Sequence, residues 1–207
     1  MIFVAHRVNT VEELKNTPQY YGVEIDLRDK GEKIVLQHDP FKDGENFEVY
    51  LKHYAHALLI LDIKSERIEL KVLDLLKKYN IQNYFFLNSS FPMIYTLSQQ
   101  GQKNIAGRFS ELESLDTILT IKNRVSWVWV DCFSQLPLDK ESFTRLKAIG
   151  LKLCLVSPDL VGREHEIESY NNFLKKEGIV FDAICTKYYN ISRWSNKTCY
   201  KEESLML

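Results

Sequence analysis

The sequence predicts an α/β protein of the (β/α)8 barrel class, built as one minimal domain over residues 1–207. Three observations point there. Short apolar runs alternate with amphipathic segments along the chain, and strand–helix alternation is the pattern of a parallel sheet with helical crossovers. Eight such runs can be counted if Ile34–His38 is taken as an extension of the second. No Gly-rich phosphate loop follows the first run, which disfavours the alternative of an open doubly wound sheet. At ~26 residues per unit the chain lies near the lower limit for a barrel of this kind.

The elements follow in order. Ile2 to Ala5 reads as a buried strand ending at His6 and Arg7. Thr10 is placed as an N-cap with Glu13 three residues on, the spacing of a capping box, so a short helix is expected next. In Gly22 to Leu27, Glu24 and Asp26 alternate with Val23, Ile25 and Leu27, a strand with carboxylates on one face and apolar side chains on the other. Asp29 to Glu32 is a turn, and the run from Ile34 delivers His38 and Asp39 before Pro40. A weakly signalled helix is expected around Phe47 to His56. Leu58 to Lys64 reads as a buried strand ending in Asp62 and Lys64, and Glu66 to Tyr79 as an amphipathic helix.

Beyond this, Tyr84 to Leu87 is a strand that runs into Asn88, Ser89 and Ser90, with a helix from Pro92 to about Gln100. Asn104 to Arg108, Val125 to Asp131, Leu151 to Val156 and Phe181 to Lys187 are further strands. Helices are expected over Leu112 to Lys122, Asp139 to Ile149 and within Arg163 to Lys176. The tail 188–207 reads as irregular. His6, Glu24, Asp26, Asp62, Lys64, Asn88, Ser90, Asp131, Ser157 and Lys187 all fall at the C-terminal ends of predicted strands. In a barrel these ends converge on the face where active sites are built.

Composition narrows the function. The formal net charge of −1 argues against a general nucleic-acid surface. The cysteines Cys132, Cys154, Cys185 and Cys199 lack CxxC spacing, so a zinc site is not expected. The first three sit in or beside apolar runs and read as small core residues of a reducing compartment. The N-terminus has no basic segment followed by a long apolar one, and Ala57 to Ile63 is too short to span a bilayer, so a cytoplasmic protein without a membrane span is expected.

Paired acids on one strand face, with a histidine at the end of a following apolar run, outline a divalent-metal hydrolysis site. Two carboxylates side by side repel and lose hydration unless a cation or arginine offsets them. Taken singly, Glu24 and Asp26 would fit an exposed face or an ion pair, His6 a core histidine, and Arg7 a surface cation. Their register with His38, Asp62 and Lys64 is what gives them meaning.

These motifs resemble a known family. Ala5-His-Arg7, the Gly-Val-Glu-Ile-Asp-Leu of residues 22–27, the Leu-Gln-His-Asp-Pro of 36–40 and the Leu-Asp-Ile-Lys of 61–64 are similar to the glycerophosphodiester phosphodiesterase superfamily. Those barrel enzymes are related to phosphatidylinositol-specific phospholipase C and to sphingomyelinase D. Asn88 to Phe91 and Phe181 to Lys187 are weaker echoes.

The resemblance implies that Glu24, Asp26 and Asp62 bind one divalent cation, Mg²⁺ or Ca²⁺, since hard carboxylate oxygens suit hard cations. It implies His6 and His38 as general acid and base, and Arg7 and Lys64 as cations on the phosphoryl oxygens. Arg108, Trp127, Trp129 and Asp131 are further candidates for substrate contacts, with aromatic packing the other reading of the tryptophans.

The sequence also departs from the family pattern. Val8 stands where a glycine is usual, and Asp62 replaces the usual Glu, as in the sphingomyelinase D branch. Lys187 replaces an Asp, and the interval from Asp39 to Asp62 lacks the glycerol-recognising insertion. The expected substrate is accordingly a small-molecule or lipid-derived phosphodiester of unspecified alcohol. Cleavage to a cyclic phosphate and a catalytically silent phosphate-binding barrel are the alternatives.

Overall fold

The computed structural model describes residues 1–195; the rest of the expected tail, including Cys199, lies outside the described residues. The fold is mixed α/β. Its strands are β1 (Ile2–Ala5), β2 (Gly22–Lys30), β3 (Lys33–Leu36), β4 (Glu45–Asn46), β5 (Leu59–Ile63), β6 (Tyr84–Leu87), β7 (Ala106–Phe109), β8 (Trp127–Val130), β9 (Lys152–Val156) and β10 (Ala183–Thr186). The helices are α1 (Val11–Asn16), α2 (Phe47–Leu51), α3 (Glu69–Lys78), α4 (Phe91–Gln99), α5 (Leu115–Ile121), α6 (Lys140–Ala148), α7 (Ile167–Glu177) and α8 (Ile191–Ser195).

Parallel ladders join β1 to β2, β2 to β5 and β5 to β6 on one side of β1, and β1 to β10, β9, β8 and β7 on the other. The two ends of this path, β6 and β7, meet at a single parallel bridge between Phe86 and Ile105. A hydrogen bond of 2.9 Å from the Phe86 amide to the Asn104 carbonyl reinforces the bridge.

The sheet separates two apolar clusters. Residues of one parity, among them Val23, Ile25, Leu61, Val128 and Leu153, pack against the helices. Residues of the other parity, among them Val4, Ile60, Phe85, Trp129 and Cys154, form the second cluster. Runs buried on both faces are the signature of a parallel sheet covered by crossovers. The strand β2 adds no apolar residue to the second cluster; its residues of that parity are Gly22, Glu24, Asp26, Arg28 and Lys30. A side chain at Gly22 would press on Val4 and the Leu58 carbonyl.

Several sequence expectations reappear with their causes. Thr10 caps α1 and makes the full capping box with Glu13. Cys132, Cys154 and Cys185 are buried and free. Val128 and Val130 face the helices while Trp127 and Trp129 face the second cluster. Among the described residues no helix is long and apolar enough to cross a membrane.

Other expectations change. The Ile34–His38 run does not extend the second strand. It folds back through a turn at Gly31 (φ 57°) and pairs antiparallel with β2, Leu36 opposite Leu27, with β4 added at its edge. The helix expected over residues 47–56 shortens to α2, and the strand expected from Asn104 starts at Ala106. The segment after Lys187 is regular as far as it is described. A 3₁₀ turn over Tyr188–Asn190 leads into α8, whose Trp194 is buried and donates from Nε1 to Ser157 Oγ at 2.9 Å.

Gly44 closes the loop that carries His38, and a Cβ there would overlap the Leu36 carbonyl oxygen. Gly31, unlike Gly44, has positive φ, and a Cβ on it would meet nothing within 4 Å. Gly44→Ala is therefore expected to lower unfolding free energy by about 1–3 kcal/mol through overpacking. Gly31→Ala should cost only the left-handed backbone preference, about 1 kcal/mol. Denaturant titration of both variants checks the order; equal losses would refute the overlap at Gly44.

Candidate active site

The parallel pairing of β2 with β5 puts Asp26 directly beside Asp62, and Glu24 beside Ile60. Alternation then points Glu24 and Asp26 to one face, so carboxylate oxygens of Glu24, Asp26 and Asp62 all lie within 4.8 Å of one another. All three residues are buried, Glu24 and Asp26 at 1% exposure.

Each acid is held by neighbours. Glu24 Oε2 accepts the Arg7 amide at 2.8 Å, made possible by the left-handed φ of 57° at Arg7. Asp26 Oδ2 accepts from Asn9 Nδ2 at 2.8 Å, while the Asp26 amide donates to Asn9 Oδ1 at 2.9 Å. Asp62 Oδ1 accepts from Asn88 Nδ2 at 2.7 Å. The Lys64 ammonium lies between the other oxygens, 2.7 Å from Asp62 Oδ2 and 3.3 Å from Asp26 Oδ1.

One atom is left over. Glu24 Oε1 is buried and has no hydrogen-bond partner. Burial, then the neighbouring charges of Asp26 and Asp62, pushes the Glu24 carboxyl well above the usual carboxylate range. Burial also raises Asp62, against the pull of Lys64. Burial by itself would lower Lys64, but Asp62, Asp26 and Glu24 together lift it above its ordinary value. An orphaned buried carboxylate oxygen within an all-oxygen acid cluster fits a hard divalent cation.

The two histidines stand on different supports. His6 follows β1, with Nε2 3.6 Å from Glu24 Oε2. Burial, then the Arg7 charge, lowers its pKa to about 4, so its ring is neutral near pH 7. His38 lies beyond β3, its Nδ1 2.8 Å from Asp39 Oδ1. With Asp39 as acceptor, Nδ1 carries the proton and Nε2 is the ring atom left to a substrate. Lys42, then His38, holds the Asp39 carboxyl down at about 2. Arg7 keeps its guanidinium half-exposed at 47%, with Nε 3.7 Å from Asp26 Oδ2.

The structure thus groups His6, Arg7, Glu24, Asp26, Asp62 and Lys64, with His38 on the neighbouring loop. Arg108 is already engaged as a clamp. Its Nε donates to Glu113 at 2.6 Å, Nη1 to Asn88 Oδ1 at 2.8 Å and Nη2 to Asp131 Oδ2 at 2.7 Å. Asp131 is correspondingly buried in that pair rather than presented to a ligand, and burial raises its pKa. Trp127 stacks on Phe85 at 4.6 Å between centroids and lies under Lys152, at the N-terminal ends of the strands. It is core packing, remote from the acids. Trp129 is buried in the same cluster, and its side chain hydrogen-bonds Asp131.

Arg28, Asn9 and Asp159 had no role in the sequence reading, and Asn88 had only its place at a strand end. Arg28 donates twice to the His38 carbonyl, at 3.1 and 2.9 Å, and once to the Lys64 carbonyl at 3.1 Å, tying the two loops together. Its position two residues beyond Asp26 on the same strand was the available signal. Asn9 had only its place next to a recognised motif. Asp159, fully buried, accepts from Thr186 Oγ1, the Lys187 amide and Asn190 Nδ2. No periodicity marks it.

Solved structures share this architecture. A phosphodiesterase of Oleispira antarctica, solved with the product sn-glycerol-3-phosphate, superposes with a TM-score of 0.67 at 14% identity, over 95% of this chain and 96% of that one. The chain has the fold of the glycerophosphodiester phosphodiesterases. The enzyme of that name from Parabacteroides distasonis matches at TM-score 0.61 and 13% identity, over 93% of this chain and 85% of its own. That of Agrobacterium tumefaciens matches at 0.62 and 15%, over 89% and 96%. No protein-family model and no curated protein sequence matches.

The raised Glu24 pKa has a sign for stability. The folded chain keeps that proton where the unfolded chain has released it, so Glu24 contributes a loss of stability as pH climbs above its ordinary 4.5. In EDTA at pH 8, Glu24→Gln is expected to raise the melting midpoint by about 2–4 °C, the size of roughly a 1 kcal/mol gain at this chain length. Millimolar Mg²⁺ or Ca²⁺ should raise the wild-type midpoint and leave the variant's unchanged. A variant that melts lower in EDTA and still responds to cation would refute both points.

Proposed function

We propose that this chain is a metal-dependent phosphodiesterase on a single-domain (β/α)8 barrel closed through the Phe86–Ile105 bridge. It would cleave a small or lipid-derived phosphodiester. The observation that carries this reading is the buried triad of Glu24, Asp26 and Asp62 with an orphaned oxygen, flanked by His6, Arg7 and Lys64. The shared fold with glycerophosphodiester phosphodiesterases supports it.

Glu24, Asp26 and Asp62 would hold one Mg²⁺ or Ca²⁺, which supplies Lewis-acid polarisation of a phosphoryl oxygen. The half-exposed Arg7 guanidinium offers a forked donor to the phosphoryl oxygens. Lys64 adds a second positive charge where negative charge develops. The neutral His6 ring takes a proton from the attacking hydroxyl or water. His38, oriented by Asp39 through Nδ1, gives a proton from Nε2 to the leaving alcohol when the ring carries both protons, and is left as the Nδ1–H tautomer. Attack by a neighbouring hydroxyl of the substrate would give a cyclic phosphate, and attack by water a monoester.

A second reading is favoured by Lys64. Its ammonium already pairs with both Asp26 and Asp62, which is what a catalytically silent phosphate-binding barrel would use in place of a metal ion.

Turnover of bis(p-nitrophenyl) phosphate and glycerophosphocholine with Mg²⁺ or Ca²⁺, and its loss in EDTA, separates the two. His6→Ala and His38→Ala are each expected to lower kcat by roughly 10²–10⁴-fold, the usual worth of general acid–base catalysis. Activity that survives both substitutions would sink the mechanism. A lack of turnover and of cation binding would favour the silent barrel. ³¹P spectra of the products distinguish cyclic phosphate from monoester.

A further inference from the structure

The parallel strands are joined by ladders, except that β6 and β7 meet at the single bridge of Phe86 with Ile105. Beyond that bridge, at the strand ends that carry the acids, side chains cross the seam instead. Arg108, in β7, donates from Nη1 to Asn88 Oδ1, just past β6, at 2.8 Å. Its Nη2 donates to Asp131 Oδ2, just past β8, at 2.7 Å, and its Nε to Glu113 Oε1 at 2.6 Å. Every guanidinium nitrogen is thus engaged by the protein itself. Asp131 is a fixed post for this clamp: it is 6% exposed, and its Oδ1 accepts the Cys132 amide at 3.2 Å.

The line continues into the acid cluster. Asn88 Nδ2 donates to Asp62 Oδ1 at 2.7 Å, so one run of hydrogen bonds links Asp131, Arg108, Asn88 and Asp62, from β8 to β5. A primary amide has an accepting end and a donating end, and a flip exchanges them. With its oxygen turned toward Asp62, Asn88 would set one acceptor against another. Arg108 is a charged donor that cannot accept, and it holds Oδ1 on its own side. The left-handed φ of 61° at Asn88, which asparagine tolerates better than most residues, sets where the side chain starts. Asp62 Oδ2 is meanwhile bound by Lys64 at 2.7 Å, so the carboxylate is oriented from both sides.

We propose that Arg108 is a positioning residue for a divalent cation held by Glu24, Asp26 and Asp62, acting through the side-chain amide of Asn88. It sets which end of that amide meets Asp62, and so the orientation of the third acid. The inference rests on the metal-dependent reading and names a residue outside the acid cluster on which the affinity of that site depends. Partners that orient metal ligands are typically worth about 10–100-fold in affinity, which is the loss expected here.

Removing Arg108 alone would leave the buried Asp131 carboxylate unpaired, a loss of stability unrelated to the cation. The test is therefore a double-mutant cycle in the full chain carrying Asp131→Asn, whose amide oxygen still accepts from Nη2. Calorimetry measures Mg²⁺ and Ca²⁺ binding, and the melting midpoint reports folding. Arg108→Leu and Asn88→Gly, the latter suited to the left-handed φ, are each expected to weaken cation binding by about 10-fold or more. Together they should weaken it no further than Asn88→Gly does, because Arg108 then has nothing to act through. Losses that multiply, or an affinity that Arg108→Leu leaves unchanged, overturn the proposal. Should Arg108→Leu not fold, Arg108→Lys in the otherwise unaltered chain decides. It keeps a cation beside Asp131 but lacks the fork that also reaches Asn88, so binding about 10-fold weaker upholds the proposal and unchanged binding overturns it. A wild-type chain that takes up neither cation refutes the metal site and this inference with it. Firm binding that is indifferent to Arg108 refutes the inference alone.

Discussion

Three carboxylates within 4.8 Å of one another, nearly out of contact with water, are the constraint around which this structure is arranged. Desolvation and mutual repulsion both oppose their ionised forms. The neighbouring chain answers with one donor for each acid: the Arg7 amide for Glu24, Asn9 for Asp26 and Asn88 for Asp62. Lys64 bridges two of them. Each donor sits just past a strand end, so the cluster depends on where β1, β5 and β6 stop. Two donors, Arg7 and Asn88, adopt left-handed backbone to reach their acid. The hydrogen bonds they gain offset that backbone cost.

A second dependence runs through Arg28. The β2–β3 hairpin projects beyond the parallel sheet, and by itself would leave His38 on an unsupported loop. Arg28 joins the His38 carbonyl to the Lys64 carbonyl, which places the loop bearing His38 in fixed relation to the strand bearing Asp62. Gln37 adds a backbone bond to the Asp26 carbonyl at 2.9 Å. The hairpin is therefore fastened at the level of the acids.

Much of this was legible in the sequence because it depends on local periodicity. Alternation in Gly22 to Leu27 separates acids from apolar residues on opposite faces, and β2 does so. The Thr10/Glu13 spacing is a local device, and the structure keeps it. What was not legible depends on pairing between distant segments. Whether Ile34–His38 continues a strand or folds back is decided by a turn at Gly31 and by the partner it meets. Arg108 and Asp131 sit at strand ends like catalytic residues, but they satisfy each other, and sequence position cannot distinguish a charge that faces a ligand from one that faces its neighbour. Trp127 has the same alternation as Trp129 yet lies two residues lower in the same strand, enough to move it from the strand ends that carry the acids to the packed floor.

Lys64 decides how the two functional readings relate. As the internal counter-ion of Asp26 and Asp62, it lets the acid cluster exist in a folded chain with no cation bound. It does not reach Glu24 Oε1, which stays without a partner. A site built only for structure would gain by replacing Glu24 with an apolar residue, because a buried, unpaired carboxylate oxygen is destabilising and contributes nothing to packing. The chain instead keeps three acids beside two cations, Lys64 and Arg7, an excess of negative charge that a proton on Glu24 or a further cation balances. On the proposed reading a divalent cation held by the three acids would leave the ammonium free for the phosphoryl oxygens, so the same side chain would serve the fold without a cation and the chemistry with one.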